Sequence, residues 1–398
     1  MQDDERNDLT GPFDGLVTTP PVPPPSPLDG APTMAKLYGW PELIADKDRK
    51  LVSLATLPHR SGLGEPLNAL LGGGLPPGYM MLVGASSAGA GKTAFLMQAA
   101  DGLAARTAEL VASGGQGPLT PVVIVSEMPA SALSWRSIAR WTGKDSRIFR
   151  AGQSAVGLER ADGSRVSQAD VDEAYREAQA ALEGDLGQAR LYQRYLSEPD
   201  TGEELVGQIG EIVDAWRAEF PGRDVWPVIV IDPVQRHAGG DNEIEGLNEL
   251  AKAIRVLKND HKCIVLLASD TNALAARGQA KGGDRQQTAV SAIRGSYSLV
   301  HEADAVLVLG PAPEVEDSQK RIEVEIVKNR WGPHLPDPTA TALYFWSPTR
   351  AELIPLSAKA MQEVHAKREE KAKVANDSNS QNVDDLQAKA RAKMEKLL

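Results

Sequence analysis

The chain has 398 residues, 42% of them apolar, enough for one large domain or two ordinary ones with a well-buried core. A formal net charge of −11 excludes a globally basic surface of the passive nucleic-acid-binding kind, so any contact with DNA has to be local. A single cysteine, Cys263 in the apolar segment CIVLLAS, excludes disulfides and cysteine metal clusters and reads as a small buried residue.

Residues 1–33 begin with the acidic, polar MQDDERNDLT, unlike a signal peptide, and continue into TTPPVPPPSPLDGAP. That composition predicts a disordered proline-rich arm able to dock a partner protein. Residues 34–58 read as a linker with a short helix around WPELIADKDRKLVSLA, with Pro41 tolerated in a first turn. A glycine and proline cluster from Gly72 to Gly78 then leads into a buried strand at Tyr79 to Val83, and KTAFLMQAADGLAARTAELV has the apolar spacing of a long helix. The run PVVIVSEM predicts a strand covered on both faces. Helices are expected at Ser131 to Trp141, Gln168 to Leu182 and Glu203 to Phe220. Strands follow at WPVIVIDP and HKCIVLLASD, separated by the helix NEIEGLNELAKAIRVLKND, and again at ADAVLVLG, RIEVEIVKN and TALYFW. This alternation predicts an α/β domain over 59–355 with a mainly parallel sheet flanked by helices. The stretch 356–398 is charged and alanine-rich, a helical or disordered tail. No apolar run approaches the ~20 residues of a membrane span, and a cytoplasmic protein of bacterial type is expected.

The chemistry begins at GASSAGAGKT, residues 84–93, between the first buried strand and the long helix. A phosphate loop needs converging backbone N–H groups, a helix N-terminus, a lysine for the terminal phosphates and a hydroxyl for Mg²⁺. Ser87, Ala88, Gly89, Ala90, Gly91, Lys92 and Thr93 supply these parts for ATP. The usual first glycine is displaced: Ser86 stands at its position and Gly84 comes two residues early, so either Ser86 takes the turn or the loop bulges. A carboxylate ending a neighbouring strand should hold Mg²⁺ together with Thr93, and Asp232 in VIVIDP fits. Glu127, ending VVIVSE, fits a carboxylate that polarises the attacking water. The run ASGGQG at 112–117 resembles a transporter signature but precedes the Glu127 strand, the wrong place for it, and reads as a surface turn.

Taken together, residues of about 60–350 resemble the RecA-like P-loop NTPases, and within them the C-terminal motor domain of DnaB-type replicative helicases. The resemblance rests on LNALLGGGLPPGYMMLVG, VVIVSEMPASALSWRSIARWTG, VIVIDPVQ with Gln235, ELAKAIRVLKND, AIRGSYSLVHEADAVLVL and EIVKNRWGP, in that order. It implies a RecA-like fold with a C-terminal β-hairpin, MgATP on Lys92, Thr93, Asp232 and Gln235, and water activation by Glu127. It also implies that Lys328 and Arg330 reach a neighbouring subunit's site, Arg330 as the finger, in a hexameric ring homo-oligomer. The loop 273–296, ALAARGQAKGGDRQQTAVSAIRGS, carries Arg277, Lys281, Arg285 and Arg294 against one acid, Asp284, and suits backbone contact with single-stranded DNA.

Two departures stand out. Asp270 occupies the place of a glutamine that senses the γ-phosphate in those helicases, with Ala273 where an arginine usually follows, and no globular N-terminal domain precedes the motor. Two functions therefore compete: an ATP-driven DNA helicase or translocase of replication or mobile-element type, and a non-unwinding RecA- or KaiC-like ATPase acting as regulator, loader or repair accessory.

Overall fold

The computed structural model describes residues 51, 52, 54, 63–85, 89–160, 162–196, 201–237, 242–270, 297–311, 321–334 and 340–357, with 359, 361–363 and 366 beyond them. The proline-rich arm, the linker up to residue 50 and most of the tail lie outside the described residues. Val52, within the stretch WPELIADKDRKLVSLA expected to be helical, instead makes an antiparallel bridge with Leu75, closed by N–H···O bonds of 2.9 and 2.8 Å.

After α1 (Gly64–Leu70) comes β1 (Met80–Ala85), then α2 (Lys92–Ala112), β2 (Val122–Ser126) and α3 (Ala130–Thr142). A helical layer follows, with α4 (Ser146–Ala151), a 3₁₀ turn at Gly152–Ala155, α5 (Gln168–Glu183) and α6 (Asp185–Arg190). The chain then alternates through β3 (Gln193–Leu196), α7 (Gly202–Glu219), β4 (Val228–Asp232), a 3₁₀ turn (Val234–His237), α8 (Glu243–Asn259) and β5 (Ile264–Ala268). It ends with α9 (Tyr297–Glu302), β6 (Ala305–Pro311), β7 (Arg321–Asn329), β8 (Thr341–Ser347) and β9 (Glu352–Pro355).

These strands make one sheet in the order β3-β2-β4-β5-β1-β6-β7-β8-β9. From β3 to β6 neighbours are parallel, and β6 to β9 are antiparallel. The expected parallel sheet is present, and the hairpin is part of a longer antiparallel edge. Continuous apolar strands are required because both faces are covered. Along β4, Val228 and Val230 enter one core, beside Phe95, Leu96 and Leu103 of α2. Ile229 and Ile231 enter the other, beside Ile209 and Val213 of α7 and Leu250 and Ile254 of α8. The turn 112–117 is largely exposed, closed by Gly115 N–H donating to Leu110 O at 3.0 Å. Among the described residues no helix is long and apolar enough to cross a membrane.

A buried ion pair locks the layers behind the site. Arg140 of α3 donates to Asp101 of α2 and to Ala351 O, and Gln193 of β3 donates to the other Asp101 oxygen at 3.0 Å. Burial alone would raise the Asp101 pKa, but the charges of Arg140 and Arg190 with the Arg140 and Ser137 hydrogen bonds hold it below the usual carboxylate range. Removing one partner strands the other charge in the interior, so Asp101→Ala should cost about 3–5 kcal/mol in chemical denaturation. The double replacement Asp101→Leu with Arg140→Met should cost markedly less, and equal losses would contradict the ion-pair account.

Candidate active site

An open parallel sheet leaves its crevices at the carboxyl ends of its strands, and here β2 and β4 end at Ser126 and Asp232, Ser269 follows β5, and β1 leads to the start of α2. Ser86, Ser87 and Ala88, which decide how the loop enters, lie outside the described residues. Beyond them Gly89 and Gly91 adopt left-handed backbone, φ 76° and 92°. A Cβ on Gly91 would sit at ordinary contact distance from Trp346, 3.6 Å, so the glycine is there for its conformation rather than for space. That turn aims α2 so that its first residues are Lys92 and Thr93, and no side chain caps the first turn. Uncapped N–H groups and the positive end of a 21-residue helix suit an anion.

The Lys92 ammonium lies 3.1 Å from Asp270 Oδ1, just past β5, with the lysine side chain 16% exposed and the aspartate 48%. The Thr93 hydroxyl faces the carboxylate of Asp232, the last residue of β4, closely enough to favour its charged form. Asp232 is buried and its pKa is raised, by burial first and by the charges of Glu127 and Asp270, against the Thr93 hydroxyl and the Lys92 charge. The parallel register pairs Ser126 with Asp232, which sets Glu127 beside it: Glu127 N–H donates to Asp232 O at 3.1 Å. The half-exposed Glu127 carboxylate accepts from Arg236 Nε at 3.0 Å. A cavity of about 460 Å³ opens beside Glu127, lined also by Ile124, Met128, Pro129 and Tyr195. Gln235 braces the end of β5, donating to Ser269 Oγ at 2.9 Å and accepting from Asp270 N–H at 3.0 Å.

Thus Lys92, Thr93, Asp232, Glu127 and Gln235 converge on one edge. Arg236 and the Lys92–Asp270 pairing were missed from sequence; the only signal for Arg236 is that it follows Gln235. Oxygen donors from a buried carboxylate and a hydroxyl fit a magnesium ion, which takes one or two protein ligands and completes its shell with water and phosphate. Among the described residues no cluster of three His, Cys, Asp or Glu side chains is placed to hold a metal ion.

Lys328 and Arg330 lie at the opposite edge. Antiparallel pairing places the end of β7 at the start of β6, where Arg330 N–H donates to Asp304 O at 2.9 Å and Asp304 accepts from Met80 N–H at 2.9 Å. Arg330 reaches Asp304 Oδ1 at 3.3 Å and His301 O at 3.0 Å, and Lys328 caps α9 at Val300 O and His301 O, 2.9 and 2.8 Å. Burial, then the Arg330 charge, lowers the Lys328 pKa. The length of β1, five steps or about 17 Å, separates this corner from the loop. Arg277, Lys281, Arg285 and Arg294 lie outside the described residues, between Asp270 and the exposed Tyr297 in sequence.

The family described as the DnaB-like helicase C terminal domain matches residues 62–340. No curated protein sequence matches. Among solved structures, one described as an ATPase domain aligns at TM-score 0.57 and 16% identity, over 80% of this chain and 96% of that one. A DnaB-like replicative helicase, solved in a study of its interactions with primase, aligns at 0.57 and 15%, over 80% of this chain and 65% of that one. A KaiC-like protein from the hyperthermophilic archaeon Pyrococcus horikoshii OT3 aligns at 0.40 and 16%, over 77% and 99%. At these identities the likeness is one of fold.

Proposed function

The chain belongs to the DnaB-like helicase C-terminal domain family, and from that premise we propose that it is a Mg-ATP-hydrolysing ring motor acting on single-stranded DNA in replication or in a mobile element. The observation that carries the reading is the convergence of Lys92, Thr93, Asp232 and Glu127 at one sheet edge, with Arg330 held at the other. Lys92 and the N–H groups of α2 bind the phosphates, Thr93 and Asp232 hold Mg²⁺, and Glu127 takes the proton of the attacking water. Magnesium, when bound, neutralises phosphate charge. At about 17 Å from its own loop Arg330 can serve only a neighbour's site, and the family resemblance supplies the arrangement, a hexameric ring homo-oligomer. Arg277, Lys281, Arg285 and Arg294 grip the DNA backbone, the proline-rich arm 1–33 docks a loader or replication protein, and the motor of 59–355 works in the cytoplasm.

Hydrolysis by the full chain should rise several-fold on adding single-stranded DNA at low salt, while Lys92→Ala should abolish it, and native mass should increase with ATP. Unstimulated hydrolysis would favour the second reading, a RecA- or KaiC-like ATPase acting as regulator, loader or repair accessory. The acid facing Lys92 is what speaks for that reading.

A further inference from the structure

The Lys92–Asp270 pair places an anion of the protein's own on the group that has to receive the substrate's phosphates. We infer that Asp270 is a specificity-determining residue that competes with the third phosphate for Lys92, weakening ATP binding while leaving ADP binding nearly intact. This rests on the reading of residues 84–93 as a phosphate loop.

Asp270 is held where it is from two directions. Its backbone N–H is fixed by Gln235 Oε1 at 3.0 Å, and its Oδ1 stands 3.1 Å from Lys92 Nζ. The Lys92 side chain is mostly buried, so its reach to another partner is limited, whereas Asp270 is half exposed and can swing into solvent. An ammonium has three N–H donors, so one lysine can serve Asp270 and one phosphate together. With a diphosphate, the terminal phosphate takes one donor and Asp270 keeps another. A triphosphate presents a further anion, since the lysine of a phosphate loop reaches both the β- and γ-phosphates. The γ-phosphate would be a third oxyanion on the same ammonium, and anions each near 3 Å from one nitrogen are only about 5 Å apart, so it adds repulsion against both Asp270 and the β-phosphate. Asp270 must then leave Lys92 or repel the γ-phosphate, and either course costs ATP more than ADP. An uncharged amide at this position would not repel the γ-phosphate and could donate a hydrogen bond to it.

Asp232 and Glu127 add two negative charges to the same edge, and the charge of Asp270 already opposes ionisation of Asp232. Arg236 faces Glu127 and not Asp270, so among the described residues Lys92 is the cation that serves the aspartate. The consequence for the working cycle is a low preference for ATP over ADP in the isolated site. Loading then depends on nucleotide concentration or on whatever draws Asp270 away.

The test titrates the full chain with fluorescent N-methylanthraniloyl ATP and ADP in Mg²⁺, comparing wild type, Asp270→Asn, Asp270→Gln and Lys92→Ala. Both Asp270 replacements should tighten ATP at least about tenfold and ADP by less than about threefold. Equal shifts for the two nucleotides, no shift, or weaker ATP binding would overturn the competition and make Asp270 a mere tether for Lys92. Lys92→Ala distinguishes failure of the competition from failure of the phosphate loop. Lost binding in that variant supports the loop, and the Asp270 replacements then decide the competition. Undiminished binding rejects the loop itself. Because asparagine is nearly isosteric and the position is half exposed, these variants should fold, which their circular dichroism would verify.

Discussion

Arg330→Ala should leave ATP binding at wild-type affinity and lower turnover by ~10³-fold or more. A finger in trans is worth about 4–7 kcal/mol of barrier at ~10³–10⁵ in rate. Against that, its resting contacts are replaceable: the ion pair with Asp304 is long, 3.3 Å, with the arginine side chain 46% exposed, and the buried Asp304 keeps Lys258 at 2.9 Å when Arg330 leaves. Release from Asp304 and the end of α9 is therefore a minor cost beside what the guanidinium gains at a developing phosphate charge. Lys328 should fall less steeply, because it lacks the fork that engages two oxygens at once. The trans assignment has its own measurement. Lys92→Ala carries an intact finger and a dead loop, and Arg330→Ala the reverse, so mixing the two inactive proteins should restore part of the turnover in mixed rings. Recovery absent at every mixing ratio, or full activity of Arg330→Ala alone, would remove the finger.

The parts of the fold that announced themselves were those under the strictest physical demand. β1, β2, β4 and β5 are buried on both faces and so had to be unbroken apolar runs, α7 and α8 had to keep one apolar stripe over four or more turns, and α2, buried on all sides from Ala94 to Ala105, had to be rich in alanine and leucine. β3 and β9 were invisible for the opposite reason. Gln193 and Arg194 in QRYL are polar because one serves buried Asp101 and the other bonds nearby carbonyls, and Glu352 in ELIP sits at the antiparallel end of the sheet. Helices α4 and α6 have six residues each, too short for a period to show, and are held by a small separate core around Phe149, Val171 and Leu186. The site divides in the same way. Lys92, Thr93, Glu127 and Asp232 end a strand or begin a helix and could be read from their neighbours in sequence. The pairings Lys92–Asp270 and Glu127–Arg236 join residues 178 and 109 positions apart, and only the β2-β4-β5-β1 order brings them together.

Glu127→Gln should keep ATP binding and cut turnover by ~10²–10⁴, the usual worth of a positioned general base, or about 3–5 kcal/mol. The backbone at this point is fixed by the bond from Glu127 N–H to Asp232 O, and the amide oxygen of glutamine can still accept from Arg236. What the substitution removes is the capacity to take a proton. The competing account makes Glu127 only the structural partner of Arg236, and Arg236→Ala decides between them. A pair whose side chains are 64% and 45% exposed contributes about 0–1 kcal/mol, so its loss should not disturb the fold. Removing the cation frees the Glu127 carboxylate from its ion-pair contact to face water, so as a base it should keep its full rate without Arg236. Turnover at or above wild type in Arg236→Ala, beside collapse in Glu127→Gln, identifies the base. Matched losses in the two variants would instead make the pair structural and leave the activation of water to another group.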